Sequence, residues 1–252
     1  MNFYELYKFL DSRFPKTLSC DWDNDGIMCA DDLEKPVKKV LVSLDVTDCA
    51  VKYAEENGFD TIISHHPLVF KGQKELNTFN FTQRKLISLI KSGIRVMSFH
   101  TRLDAGCGGV NDVLSETLGL ENLEIDELEP IGRISNLDEP VNIADFSKMV
   151  KDRLNAPVVS YIGERPVKRI YITGGDGKDM IPRAIACGAD TLLTGSVSYN
   201  AMMDADEMGI NVIEAGHFYT ENPVCKMLSE CIKSIDNSLE IEIFNANKIK
   251  SI

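Results

Sequence analysis

The chain has 252 residues, enough for one large domain or two small ones with cores of their own. With 44% hydrophobic and 26% charged residues it has an ordinary globular composition, and no apolar run is long enough to cross a bilayer. A formal charge of -12 makes approach to a phosphate backbone costly, so a nucleic-acid partner is disfavoured, whereas divalent metal suits an acidic chain.

The chain begins with charges set inside an apolar pattern: Phe3, Leu6, Tyr7, Leu10 and Phe14 recur at helical spacing. This predicts an amphipathic helix over Phe3–Arg13, not an export signal, and a cytoplasmic location. The seven cysteines are odd in number and none has C-x-x-C spacing, which argues against a disulfide framework and against a thiolate zinc site.

Asp21, Asp23 and Asp25 crowd a turn around Trp22 and Gly26. The cluster lacks the closing acid of an EF-hand loop, so a capped turn around the tryptophan is expected. Residues 37–45 read as a strand and 46–57 as a helix, with Thr47 or Asp48 at its start and Gly58 as its stop. Residues 60–63 form a β-branched strand that runs into Ser64-His65-His66-Pro67. A helix over 82–91 and a strand over 93–100 follow. Alternating strands and helices with long connections predict an α/β unit with parallel neighbours. A glycine loop at 106–109 leads into a helix over 110–118, and Pro130, Gly132 and Pro140 mark 128–142 as a linker.

Beyond residue 142 the pattern starts again. Val167-Lys168-Arg169-Ile170-Tyr171-Ile172-Thr173 matches Val37-Lys38-Lys39-Val40-Leu41-Val42-Ser43. Residues 188–194 match 58–64, and Gly209-Ile210-Asn211-Val212 matches Gly93-Ile94-Arg95-Val96. The expected architecture is therefore two similar α/β domains from an internal duplication, related by a pseudo-twofold. They span 1–127 and 128–252, with the C-terminal segment able to pack back on the first. The copies differ where it matters chemically: Ser64-His65-His66-Pro67 stands against Thr194-Gly195-Ser196-Val197. The Gly174-Gly175-Asp176-Gly177 stretch lacks both dinucleotide and P-loop signatures and reads as a tight glycine turn.

The four histidines are His65, His66, His100 and His217. Each follows a strand-like run, and His100 and His217 each have an acid four residues on, Asp104 and Glu221. Open α/β sheets place ligands at strand ends. Imidazole and carboxylate together suit Zn, Fe, Mn, Co or Ni better than Ca or Mg. Adjacent histidines would point to opposite faces within a strand but can splay toward two ions at its end. One arrangement has His65 and His217 on one ion and His66 and Asp104 on the other, with Glu221 bridging. Two such ions form the clamp used in hydrolytic displacement. His100 is then a supporting group or proton shuttle. Cys107, three residues past Asp104, reads as a buried structural thiol rather than a soft ligand.

The motifs Trp22-Asp23-Asn24-x-Gly26, Ser43-Leu44-Asp45-Val46-Thr47, Ser64-His65-His66-Pro67-Leu68, His100-Thr101-x-x-Asp104, Gly109-Val110-Asn111-Asp112, Thr194-Gly195 and Ala215-Gly216-His217-x-x-x-Glu221 together resemble the NIF-three-like family. Its members often carry the label GTP cyclohydrolase 1 type 2 homolog. The resemblance implies a NIF-three-like fold, a dinuclear metal centre, and a hexamer, a trimer of dimers, with the metals facing an inner cavity. It puts the metal ligands on His65, His66, Asp104, His217 and Glu221, with Glu221 touching both ions. The expected function is metal-dependent hydrolysis of a nucleotide-like or phosphorylated small molecule, with Glu221 and His100 as catalytic groups. The alternative is a non-catalytic protein that stores or senses metal or serves as an interaction scaffold.

Overall fold

The computed structural model describes residues 1–250. In chain order the elements are α1 (Phe3–Arg13), β1 (Gly26–Cys29), β2 (Lys39–Ser43), α2 (Asp48–Glu56), β3 (Thr61–Ser64), α3 (Phe81–Ser92), β4 (Arg95–Ser98) and α4 (Thr101–Ala105). Next come α5 (Val110–Thr117), β5 (Glu124–Ile125), β6 (Arg133–Val141), α6 (Ile143–Leu154), β7 (Ser160–Ile162), β8 (Val167–Asp176) and α7 (Ile181–Ala186). The chain closes with β9 (Thr191–Ser196), α8 (Tyr199–Met208), β10 (Asn211–Glu214), α9 (His217–Glu221), α10 (Pro223–Ile235) and β11 (Glu240–Phe244). Two compact units result: Met1–Leu103 with Cys225–Lys248, and Asp104–Val224. Among the described residues no helix is long and apolar enough to cross a membrane.

The first unit holds a five-stranded sheet in the order β1-β4-β3-β2-β11, parallel except for β1. Strands buried on both faces need continuous apolar runs, and Val40, Leu41, Val42, Ile62, Ile63, Val96 and Met97 supply them at 0% exposure. One face carries Leu41, Ile62 and Val96 against Val51 and Ala54 of α2 and Leu86 and Leu89 of α3. The helix starts follow from local chemistry. Asn2 and Glu5 exchange side-chain and backbone bonds at 2.8 Å each as a capping box on α1, and Thr47 Oγ1 accepts from Ala50 N on α2.

The second unit holds a six-stranded sheet in the order β5-β6-β8-β9-β10-β7, whose β8, β9 and β10 are parallel. Side chains alternate across it as strand pleating requires. Ile170, Ile172, Leu193 and Ile213 pack with Leu114 of α5 and Phe146 and Val150 of α6. Tyr171, Leu192 and Val212 pack on the other face with Ala184 of α7 and Ala205 of α8.

The central strands of the two sheets are set by the same device. Asp60 Oδ2 accepts from Lys38 N at 2.8 Å and Lys39 N at 3.0 Å, while Thr61 Oγ1 donates to Asp60 Oδ1 at 2.8 Å. Asp190 Oδ2 accepts from Lys168 N at 3.0 Å and Arg169 N at 2.7 Å, and Thr191 Oγ1 donates to Asp190 Oδ1 at 2.7 Å. Each carboxylate satisfies N–H groups that precede a ladder and so locks the register of the neighbouring strand. The pairings that follow, Val40↔Thr61 to Ser43↔Ser64 and Ile170↔Thr191 to Thr173↔Thr194, are equivalent.

Two local expectations are corrected. Most of the stretch that reads as a linker is β6, paired antiparallel with β8. Gly132 is there for packing: a Cβ on it would collide with the Tyr171 hydroxyl. Pro140 falls in the irregular part of that pairing, between Asn136 and Val141, where no ladder N–H is required. Likewise Gly174 and Gly175 are not a free turn but the bulged end of β8, between the Thr173↔Thr194 and Asp176↔Ser196 pairs.

Candidate metal centre

In the first unit β3 ends at Ser64, and the chain bends at His65 and His66. Ser64 fixes the bend: its Oγ pairs with Ser98 Oγ at 2.8 Å and donates to the His66 carbonyl at 2.8 Å. His66 N in turn donates to the Leu44 carbonyl at 2.9 Å. Past the pleat, the two rings no longer diverge. Their centroids lie 4.9 Å apart, and His100, after β4, lies 5.3 Å from His65 and 5.8 Å from His66. One nitrogen from each of the three imidazoles lies within 4.8 Å of the others.

Each of these rings is steered through Nδ1. His65 Nδ1 faces the Phe99 carbonyl at 2.9 Å, His66 Nδ1 faces Asp45 Oδ1 at 2.8 Å, and His100 Nδ1 faces Asp23 Oδ1 at 2.9 Å. An oxygen acceptor at Nδ1 places the proton there and leaves the Nε2 lone pair for a cation, which is how proteins orient metal-binding histidines.

The aspartate turn serves this arrangement rather than a cation of its own. Asp23 also accepts from Thr101 N at 3.0 Å and Thr101 Oγ1 at 2.6 Å. Burial pushes the Asp23 carboxyl up, but hydrogen bonds from His100 and Thr101 outweigh it and hold it well below the usual carboxylate range. Asp25 takes a two-pronged contact from the buried Arg102, Nε at 3.0 Å and Nη2 at 2.9 Å, an ion pair with Lys16, and the His100 N–H at 3.1 Å. Burial raises the Asp25 carboxyl, and Arg102 and Lys16 bring it down again. Both carboxylates therefore have protein partners. Nor is the turn packed around its tryptophan, for Trp22 is 63% exposed.

The second unit holds two carboxylates and one imidazole of its own. Asp104 lies in α4 with its side chain nearly buried, and one of its oxygens is within 4.8 Å of one of Glu221. Asn111 anchors this region: its Nδ2 donates to the carbonyls of Asp104 at 3.2 Å and Ile131 at 2.9 Å, and its Oδ1 accepts from Gly174 N at 2.6 Å. His217 and Glu221 sit one turn apart on α9, with Nε2 3.0 Å from Oε2. Gly216, at φ +87°, turns the chain from β10 into α9.

The bulged glycines make room for that carboxylate. At Gly175, φ +68°, a Cβ would collide with Glu221 Oε1. At Gly195 a Cβ would lie 2.6 Å from the Thr220 hydroxyl and 2.8 Å from the His217 Cα. The Thr220 hydroxyl accepts from Gly175 N at 3.2 Å, tying β8 to the helix. Cys107, by contrast, is exposed on the turn after α4 rather than buried.

Within each unit the donor types suit a divalent transition metal: in the first, imidazoles oriented by oxygen at Nδ1, and in the second, His217 with the carboxylates of Asp104 and Glu221. The sequence singles out the histidines and both acids as candidates but gives no role to Asp23, Asp45, Asn111 or the glycines under Glu221. The signal for the glycines is that small residues at a strand end permit close approach of another element.

Comparison with known proteins places the chain. The GTP cyclohydrolase 1 type 2 homolog of Clostridium perfringens is 34% identical over 249 residues, covering 95% of each chain. The crystal structure of a Staphylococcus aureus hypothetical protein matches with a TM-score of 0.89 at 28% identity, over 100% of this chain and 99% of that one. Reduced HcgD from Methanocaldococcus jannaschii matches with a TM-score of 0.84 at 28% identity, over 96% and 97%. The Duf34/NIF3 (NGG1p interacting factor 3) family model matches residues 1–251, and the chain belongs to that family.

Proposed function

We propose that His65, His66, Asp104, His217 and Glu221 hold two divalent transition-metal ions, with Glu221 shared between them, and that the protein is a metal-dependent hydrolase. The observation that carries this reading is the common orientation of the imidazoles of the first unit, each with an oxygen at Nδ1. Such bonds hold a ring for a cation at its other nitrogen. When bound, a metal pair supplies Lewis-acid polarisation and lowers the pKa of water.

The chain's own part in the chemistry is positional. Glu221 has Oε1 against Gly175 and Oε2 3.0 Å from His217 Nε2, which limits where its carboxylate can lie. His100, its Nδ1 held by Asp23, offers Nε2 to carry a proton between water and the leaving group. The names of the relatives favour a nucleotide-like or phosphorylated small molecule as substrate. The equivalent strand registers and the paired Asp60 and Asp190 devices support an internal duplication. A homo-hexamer and a cytoplasmic location complete the proposal.

The test combines metal analysis of the native protein with a nucleotide turnover screen on native protein and Glu221→Gln. Turnover that disappears in the variant supports the hydrolase. Full metal occupancy without turnover favours the storage, sensing or scaffold alternative.

A further inference from the structure

Trp22 is the only tryptophan in the chain, and its indole is 63% exposed although the turn that bears it is tied down on every side. Asp23 N donates to the Cys20 carbonyl at 2.9 Å, Cys20 N donates to Thr101 Oγ1 at 2.9 Å, and Thr101 Oγ1 donates to Asp23. Phe70, 45% exposed, stands beside it with ring centroids 6.0 Å apart and planes at 56°. Asn24 Nδ2 donates to the Val69 carbonyl and joins the two loops. Both rings also meet His100 edge to face, each at 6.2 Å. Aromatic rings that leave this much apolar surface in water contribute less to folding than buried ones, because the exposed part stays hydrated.

We propose that Trp22 and Phe70 form a stacking platform for a planar heteroaromatic ring of the nucleobase type, carried by the molecule processed at the neighbouring imidazoles. This rests on the hydrolase reading and names the part of the substrate that the first unit recognises. The wall is graded along its length. Indole and phenyl faces suit the π-surface of a base, and the His100 ring stands edge to face with both at one end. In a chain with a formal charge of -12, stacking recognises a nucleotide through the part that carries no negative charge. A fixed turn also spares the ligand the cost of ordering the aromatic side chain.

A lone tryptophan makes its fluorescence a reporter for this place alone. Metal-loaded, full-length protein is titrated with guanosine monophosphate, and separately with ribose 5-phosphate, which has the sugar and phosphate but no base. The expected result is saturable quenching by the nucleotide only. Calorimetry, which needs no reporter, should then show affinity for the nucleotide about tenfold or more weaker in Trp22→Ala and in Phe70→Ala. Trp22→Phe should stay within about threefold of native, since it keeps an aromatic face. Metal content should be the same in all of them.

Nucleotide binding of native strength in Trp22→Ala overturns the platform, as does equal binding of ribose 5-phosphate or no binding of the nucleotide by metal-loaded protein. A change of oligomeric state in Trp22→Ala, read by sedimentation, also overturns it, because the indole would then belong to a contact between copies. None of these outcomes touches the metal reading. That reading fails separately, if the native protein takes up no metal.

Discussion

Asp45 Oδ1 lies 2.8 Å from His66 Nδ1, so that an acid just past the end of β2 steers an imidazole just past the end of β3. The two strands are parallel neighbours in fixed register, which sets the acid and the ring side by side. Asp45→Ala removes the acceptor and frees the ring to turn. Metal affinity should fall about 10–100-fold, measured by competition with a chelator, with the fold intact by circular dichroism. Native affinity in the variant would show that the carboxylate does not orient the ligand.

Gly175→Ala tests the cradle under Glu221. The residue has φ +68°, and its Cβ would collide with Glu221 Oε1, so the substitution combines backbone strain with displacement of the carboxylate. The matched control is Gly188→Ala, at φ +72° with nothing within 4 Å. Both should lose about 1–2 kcal/mol from the left-handed backbone alone. Only Gly175→Ala should also lose metal, read by elemental analysis after dialysis. Equal metal content in the two variants would contradict the cradle.

Arg102 is fully buried against Asp25, whose side chain is also fully buried. Arg102→Met leaves the Asp25 charge with Lys16 as its remaining ion-pair partner. The expected loss in denaturant unfolding is about 3–5 kcal/mol, reduced to the extent that Lys16 compensates. A loss under about 1 kcal/mol would mean the network contributes little.

Asp126 gives the pH dependence. The Arg183 guanidinium, helped by the Tyr171 hydroxyl at 2.9 Å, holds its carboxyl well below the ordinary value near 3.8. A depressed carboxyl stabilises the fold above its unfolded pKa and loses that contribution as pH falls through the folded value. Asp126→Asn should therefore be less stable than native at neutral pH by about 1–3 kcal/mol, and the gap should shrink below about pH 4. Thermal melts at neutral and acid pH measure it. A gap that widens with acid would reverse the assignment.

Legibility of the fold followed the strength of local periodicity. α1, α5 and the parallel strands stand out because their apolar spacing agrees with their final packing. β6 did not, because Pro and Gly dominate local reasoning, whereas its pairing with β8 and the Gly132 contact with Tyr171 are long-range facts. The histidines were legible because imidazole is rare and each follows a strand. Asp23 and Asp45 were not, since an acid in a turn looks the same whether it caps the backbone or holds a ring 77 or 21 residues away. The exposure of Trp22 was equally hidden, as a turn rich in Asp and Gly does not say which way its one large side chain points.

The central claim is that this chain binds a pair of metal ions through His65, His66, Asp104, His217 and Glu221. Elemental analysis of protein purified without chelators, against protein concentration from amino-acid analysis, tests it most directly. The account predicts about two transition-metal ions per chain in the native protein and fewer than one in a His66→Ala, Glu221→Ala double variant that remains folded. Native protein without metal, or a double variant that keeps its full complement, would contradict it.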